Sequence, residues 1–273
     1  MEKPVTINRN SHDFTTVLFS VRGLKKNFPN ASSPTGYFEA ISGLDLDVYE
    51  GECLLIAGAN GSGKTLLMRM LSGLLDATEG EILFRGTPLV KCRNQLRRSI
   101  GLVFQDADAQ ILGETVEEDI RFGPENLKLS ENEIESRLEE ALTSLDLAGK
   151  RFFAARHLSG GEKRRLAAAG ILAMGCETII MDEPFANLDW PGVVQVLNII
   201  KTLKQAGKTV IILTHELEKV LALADRLVIL AAGKVRDEGE SEAVLDRLKS
   251  EWGVRDPRKS YRNAAECTWL NSS

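Results

Sequence analysis

Cysteine and histidine are scarce in this chain, with four and three copies over 273 residues. Cys53, Cys92, Cys176 and Cys267 show no paired spacing. Neither a zinc site nor a disulfide framework is therefore expected, and a reducing cytosol is the simpler setting. Long apolar runs are also missing. The longest stretch without charged or strongly polar side chains, Leu166–Cys176, falls well short of the roughly 20 residues that span a bilayer, so no membrane crossing is expected. The polar start, Met1–Phe14, lacks the apolar centre of a signal peptide, and export is not expected. Basic residues are not in excess. With 34 Lys+Arg against 39 Asp+Glu and a net charge of −5, no overall positive field draws the chain to nucleic acid or anionic lipid. Repeats and low-complexity tracts are absent.

What is present is a globular composition, 43% hydrophobic and 27% charged, in a length that allows one large α/β domain or two small ones. Five β-rich runs, Glu52–Ala57, Ile100–Phe104, Thr178–Asp182, Thr209–Thr214 and Arg226–Ala231, are mostly unbroken Ile/Leu/Val. Such runs predict strands covered on both faces of a parallel sheet. Helical stretches lie between them. Ser130 and Glu133 form a capping box ahead of the stripe Ile134, Leu138, Ala141, Leu142 and Leu145, with Gly149 as the expected stop. Val193–Leu203 carries a similar stripe, closed by Gly207. Alternating strands and helices imply a parallel, right-handed α/β core. About 106–168 is nearly strand-free and reads as a helical insertion, while Val17–Val21, Leu44–Val48 and Glu81–Phe84 read as shorter strands beside the core.

Gly58-Ala59-Asn60-Gly61-Ser62-Gly63-Lys64-Thr65 fits G-x-x-x-x-G-K-[ST], between a buried strand and the apolar helix expected over Leu66–Leu75. Glycines let successive backbone N–H groups turn inward around phosphate oxygens, and the helix N-terminus adds positive potential. Lys64 is placed to meet β- and γ-phosphates and Thr65 a Mg²⁺ ion. A nucleoside triphosphate is the expected ligand. Met181-Asp182-Glu183-Pro184 ends an apolar strand, so Asp182 is the expected second Mg²⁺ ligand and Glu183 the general base for water. His215 follows Thr209–Thr214, at the carboxyl end of a strand where α/β sheets bind ligands. His12 and His157 have no such placement.

Leu158-Ser159-Gly160-Gly161-Glu162-Lys163-Arg164-Arg165 opens a helix ahead of Asp182. Taken in order with the phosphate loop, Gln105, Asp182-Glu183, Asp189 and His215, it resembles the ATPase subunit of an ABC transporter over about 17–248. That resemblance implies a P-loop NTPase core with a mostly parallel sheet, an antiparallel β subdomain and an α-helical insertion. It leaves 1–16 as a polar extension and 249–273 as a tail. It also implies that Gln105 is the Q-loop glutamine and a Mg²⁺ contact. Asp189 becomes the D-loop aspartate and His215 the sensor of the γ-phosphate. Leu158 to Glu162 become the signature that caps ATP held by a second ABC ATPase subunit. Phe28 is the expected adenine-stacking ring, with Tyr37 or Phe38 as alternatives because of the insertion 30–36.

A narrower resemblance follows Gln105. Val103-Phe104-Gln105-Asp106, Gln110-Ile111, Thr115-Val116 and Phe122-Gly123-Pro124-Glu125-Asn126-Leu127 are similar to the energy-coupling-factor branch, which takes up vitamins and cobalt or nickel ions. Asp106-Ala107-Asp108-Ala109 and Glu162-Lys163 depart from the branch's usual residues without touching the catalytic set. The implied partners are transmembrane subunits and a substrate-binding membrane component, with the chain peripheral on the cytoplasmic face and no nucleic acid bound. Ile111 and Phe122 are the expected apolar anchors for the membrane partner. The alternative is a soluble ABC ATPase acting on ribosomes or DNA.

Overall fold

The computed structural model describes residues 14–104 and 109–259. Gln105, the segment 106–108, His12 and Cys267 lie outside the described residues. The described strands are β1 (Val17–Pro29), β2 (Tyr37–Tyr49), β3 (Cys53–Ala57), β4 (Glu79–Phe84), β5 (Thr87–Pro88), β6 (Ile100–Val103), β7 (Thr178–Asp182), β8 (Thr209–Thr214), β9 (Arg226–Ala231) and β10 (Lys234–Gly239). The described α-helices are α1 (Lys64–Leu71), α2 (Arg93–Ser99), α3 (Val116–Asn126), α4 (Glu131–Ser144), α5 (Gly160–Ala173), α6 (Trp190–Gln205), α7 (Leu217–Val220) and α8 (Ser241–Asp246).

Six strands form one sheet in the order β10-β9-β3-β8-β7-β6, parallel except for the edge strand β10. Every residue of β3, β7 and β8 is buried, and the alternation of side chains explains why the pattern is unbroken. Cys53, Leu55 and Ala57 of β3 face one hydrophobic cluster, which also holds Leu166, Ile179 and Ile200. Leu54 and Ile56 face a second cluster, with Leu67, Phe19 and Ile211. A strand buried on both faces has no position at which polarity is free. The carboxyl ends of β3, β8 and β7 consequently share one edge of the sheet.

The second cluster is roofed by an antiparallel sheet in the order β2-β1-β4-β5. Here β1 and β2 each run 13 residues, far longer than the expected Val17–Val21 and Leu44–Val48. Their pairing passes through several register shifts, and Lys25, Lys26 and Asn27 lie on it half-buried. Bulges and polar residues break the period-two pattern, which hides the second half of the hairpin in the sequence. Ile41 and Ala40 of this sheet press on the phosphate loop: a Cβ on Gly63 would come within 2.6 Å of Ile41 Cδ1.

Three other expectations are corrected. Helix α4 stops at Ser144, not Gly149, because Asp146 takes the left-handed conformation (φ 53°) that an Asp side chain tolerates. Helix α1 closes before Gly73 (φ 71°) and does not reach Leu75. Strand β10 was not expected at all, since an edge strand with alternating exposure and four charged residues has no apolar run to betray it. The insertion contains α3, α4 and the first part of α5, and both expected capping-box residues, Ser130 and Glu133, bond each other's backbone N–H groups.

Candidate functional site

The phosphate loop leaves β3 at Ala57 and enters α1 at Lys64. Gly63 has φ 107°, a conformation closed to other residue types, and Ile41 blocks the space a side chain would need. Ser62 N–H donates to Ala59 O at 3.1 Å, and Gly233 N–H donates to Ser62 O at 3.0 Å, tying the loop to the β9–β10 turn. Gly58 and Ser62 are buried, while Asn60 and Gly61 are exposed. Lys64 is buried, yet its ammonium has three oxygen partners: Gly58 O at 2.6 Å, Ala59 O at 3.2 Å and Glu183 Oε1 at 3.2 Å.

Thr65, next on α1, donates its hydroxyl to Asp182 Oδ2 at 2.8 Å. Asp182 is the last residue of β7 and is buried. Burial raises its carboxyl above the ordinary range, the Thr65 hydrogen bond offsets part of that, and the Glu183 charge adds to it. Its other oxygen, Oδ1, is buried without a hydrogen-bond partner.

Glu183 sits in the left-handed region at φ 47°, a strained conformation for a glutamate and one that clusters at functional positions. Its N–H donates to Leu213 O at 2.8 Å, which aims the residue across the end of β8. Glu183 Oε2 then accepts from Thr214 Oγ1 at 3.0 Å and from His215 N–H at 3.3 Å, and lies 2.9 Å from His215 Nδ1. Burial alone would raise this carboxyl, but the His215 hydrogen bond and the Lys64 charge outweigh it and hold it below the usual carboxylate value. The structure therefore brings Lys64, Thr65, Asp182, Glu183 and His215 together. Thr214 is the member that sequence reasoning missed. Its position beside His215 at a strand's carboxyl end was the available signal.

Ser159 caps α5 through a capping box with Glu162 and is exposed, as is Gly160; Leu158 is buried beneath them and anchors the turn. Asp189 caps α6, its Oδ1 accepting Gly192 N–H at 3.0 Å. Phe28 is half-buried, pairs with Phe38 across the hairpin and has the Lys26 ammonium 5.4 Å from its ring centroid. Tyr37 and Phe38 are more than half exposed. Of the two expected anchors, Phe122 is exposed, whereas Ile111 is half-buried against the main core. Beside Ile111 lies a groove of about 410 Å³ whose wall includes Gly113, Thr115, Ala154, Arg156 and Lys163. Its residues from the turn before α5, and the exposed Phe152 and Phe153 that precede them in the chain, had no signal in the sequence.

A phosphate loop at the centre of a parallel sheet, with an Asp and a Glu at the end of the strand one removed from it, defines a P-loop nucleotide hydrolase. The ABC transporter family model matches residues 41–186. The chain belongs to that family, as an ATP-binding subunit that hydrolyses ATP. It is 42% identical to the cobalt import ATP-binding protein CbiO of Rhodobacter capsulatus, over 89% of this chain and 86% of that one. It is 39% identical to the energy-coupling factor transporter ATP-binding protein EcfA of Methanocaldococcus jannaschii, over 81% of each. Its fold matches cbiO1 of Clostridium perfringens, described as part of the ABC transporter complex cbiONQ, with a TM-score of 0.77. That match is 34% identical and covers 85% of this chain and 92% of that one. Among the described residues no helix is long and apolar enough to cross a membrane.

Proposed function

We propose that this chain is the ATP-hydrolysing subunit of an energy-coupling-factor importer for a vitamin or a transition-metal ion such as cobalt or nickel. It works on the cytoplasmic face, paired with a second ABC ATPase subunit, and drives separate transmembrane subunits and a substrate-binding membrane component. The observation that carries this reading is the convergence of Lys64, Thr65, Asp182, Glu183 and His215 at one edge of the sheet.

The backbone N–H groups of Gly58 to Thr65 wrap the phosphates, with Lys64 on the β- and γ-phosphates and Phe28 against adenine. Thr65 and Asp182 hold Mg²⁺, with Gln105 as a further contact. The unpartnered buried Asp182 Oδ1 fits a cation ligand. When bound, Mg²⁺ neutralises charge on the phosphate oxygens. Glu183 accepts the proton of the attacking water. Thr214 and the His215 backbone fix its carboxylate, and His215 senses the γ-phosphate.

Ser159, Gly160, Gly161 and Glu162, with Leu158 beneath, present a helix N-terminus to ATP held by the other subunit, and Asp189 lines the same interface. The membrane partner docks on the helical insertion, at the groove beside Ile111 and the exposed Phe122 of α3. The testing experiment is purification of the chain from gently solubilised membranes. An integral membrane protein should co-purify, and its transport should stop when the chain carries Glu183→Gln. Recovery with ribosomes or DNA instead would replace this reading with that of a soluble ABC ATPase.

A further inference from the structure

We infer that Lys150 is a positioning residue for the ATP sandwich: it neutralises Glu162, so that the signature helix can approach the triphosphate held by the other subunit. The inference rests on the reading of Ser159 to Glu162 as a trans-acting ATP cap.

Glu162 stands at the third position of α5 and is mostly buried. Its Oε2 accepts Ser159 N–H at 2.8 Å, and Ser159 Oγ accepts Glu162 N–H at 3.3 Å. A carboxylate here stabilises the helix start, since it satisfies an otherwise orphaned N–H and opposes the positive end of the dipole. The same charge works against a polyanion arriving at that end. Glu162 is strongly committed to its charged form, with its carboxyl pushed down to about 2 by the Lys150 hydrogen bond first and the Ser159 N–H second. Protonation therefore does not remove the repulsion at neutral pH.

Lys150 does. Its ammonium makes an ion pair and hydrogen bond with Glu162 Oε1. The lysine is held in place by a 3-10 turn (Ala148–Lys150), with Lys150 N–H donating to Leu147 O at 2.8 Å and Phe153 N–H donating to Lys150 O at 2.9 Å. The Phe153 ring lies 5.5 Å from the ammonium. Among the described residues the other cation paired with Glu162 is Arg165, but it is 3.9 Å away and bonded to Asp146 Oδ2 at 2.8 Å. Lys150 is thus the direct counter-ion, and it sits on a turn outside the signature itself.

The test uses the full chain with whatever ATPase subunit it pairs with, carrying Glu183→Gln to stop turnover, and reads the ATP concentration at half-maximal dimer closure. Lys150→Met should raise it about threefold to tenfold, with a smaller shift at about 0.5 M salt. Lys150→Arg should restore closure, and Lys150→Met with Glu162→Gln should return it to within about twofold of the parent. Glu162→Gln alone keeps a neutral acceptor for Ser159 N–H and should lower it, which keeps the test open if Lys150→Met folds poorly. A Lys150→Met shift that Glu162→Gln does not reverse would mean that the lysine merely braces its turn, and would overturn the inference. So would an unshifted Lys150→Met in a system where Ser159→Arg abolishes closure. Normal closure of Ser159→Arg would instead bring down the trans-cap reading itself, and the inference with it.

Discussion

The Lys64 ammonium lies 3.2 Å from Glu183 Oε1, both side chains largely out of solvent. The residue proposed to grip the triphosphate is thus ion-paired with the one proposed to attack it through water. Two carbonyl oxygens of the phosphate loop complete the ammonium's hydrogen bonds. On the proposed reading, nucleotide entry would exchange this partner set for phosphate oxygens and free Glu183 Oε1 for the attacking water.

Lys64→Ala removes the one full positive charge from a loop of neutral amides. Its ATP affinity should fall by at least about a hundredfold, measured by nucleotide titration of the purified chain. An affinity within about threefold of the parent would contradict the role given to this lysine.

Glu183→Gln keeps the shape of the side chain but cannot take a proton from water. ATP binding should persist while hydrolysis drops by about 10² to 10⁴, the usual worth of a positioned base. Single-turnover measurements would separate the chemical step from release. Turnover at the parent rate would move the base elsewhere.

Much of this site was legible from the chain alone because its parts sit where a strand ends or a helix begins, and those points carry strong local signals. Gly58 to Thr65, Asp182-Glu183 and His215 each follow a run of buried β residues, and Ser159 opens a helix with a capping box. What stayed hidden is set by tertiary pairing. Lys150 reaches Glu162, and Arg156 and Lys163 meet Ile111 across a groove, with nothing in their spacing to predict it. Ile111 shows the converse. Its apolar character fitted an exposed anchor equally well, and packing placed it half in the core.

The His215–Glu183 contact makes a pH prediction. Glu183 is depressed below its unfolded value, so its contribution to stability is present above the unfolded pKa of about 4.5 and is lost as pH falls through the lower folded value. His215→Ala removes one of the interactions responsible. The acid-induced loss of stability should then be smaller and be complete at higher pH than in the parent, as followed by thermal unfolding of the nucleotide-free chain from about pH 3 to 6. Superimposable profiles would show that the contact does not stabilise the carboxylate.

Glu52 has the opposite sign. It is buried immediately before β3, accepting Tyr49 N–H at 2.7 Å, with Arg226 3.3 Å away. Burial outweighs that arginine and pushes the carboxyl up to about 7. A raised carboxyl binds a proton in the folded state before the unfolded chain does, so stability should decline as pH rises from about 4.5 to 7, by at most about 3 kcal/mol. Glu52→Gln should flatten that slope in calorimetry. An unchanged slope would place the titration in another group.

Polar substitution at the proposed docking surface should separate coupling from catalysis. Phe122→Ser alters an exposed side chain and should leave the ATPase rate and melting temperature of the isolated chain within error while lowering transport, with an anchor worth about 1–3 kcal/mol of binding. Ile111→Ser should also lower the melting temperature, because that side chain is partly in the core. Cross-links from the membrane partner that map only beyond Ser241 would exclude this surface.

The 3-10 turn Ser250–Trp252 ends at Gly253 (φ 69°), where an added Cβ would stand 3.1 Å from the Ala59 Cβ. Both residues border one recess beside Asn60 and Gly61, with the Trp252 indole as part of its wall. The back of the phosphate loop therefore touches residues from the stretch after 248 that the sequence led one to expect as a tail. Trimming an ATPase of this kind at about residue 248 to obtain a minimal catalytic unit would then alter the nucleotide pocket it was meant to isolate.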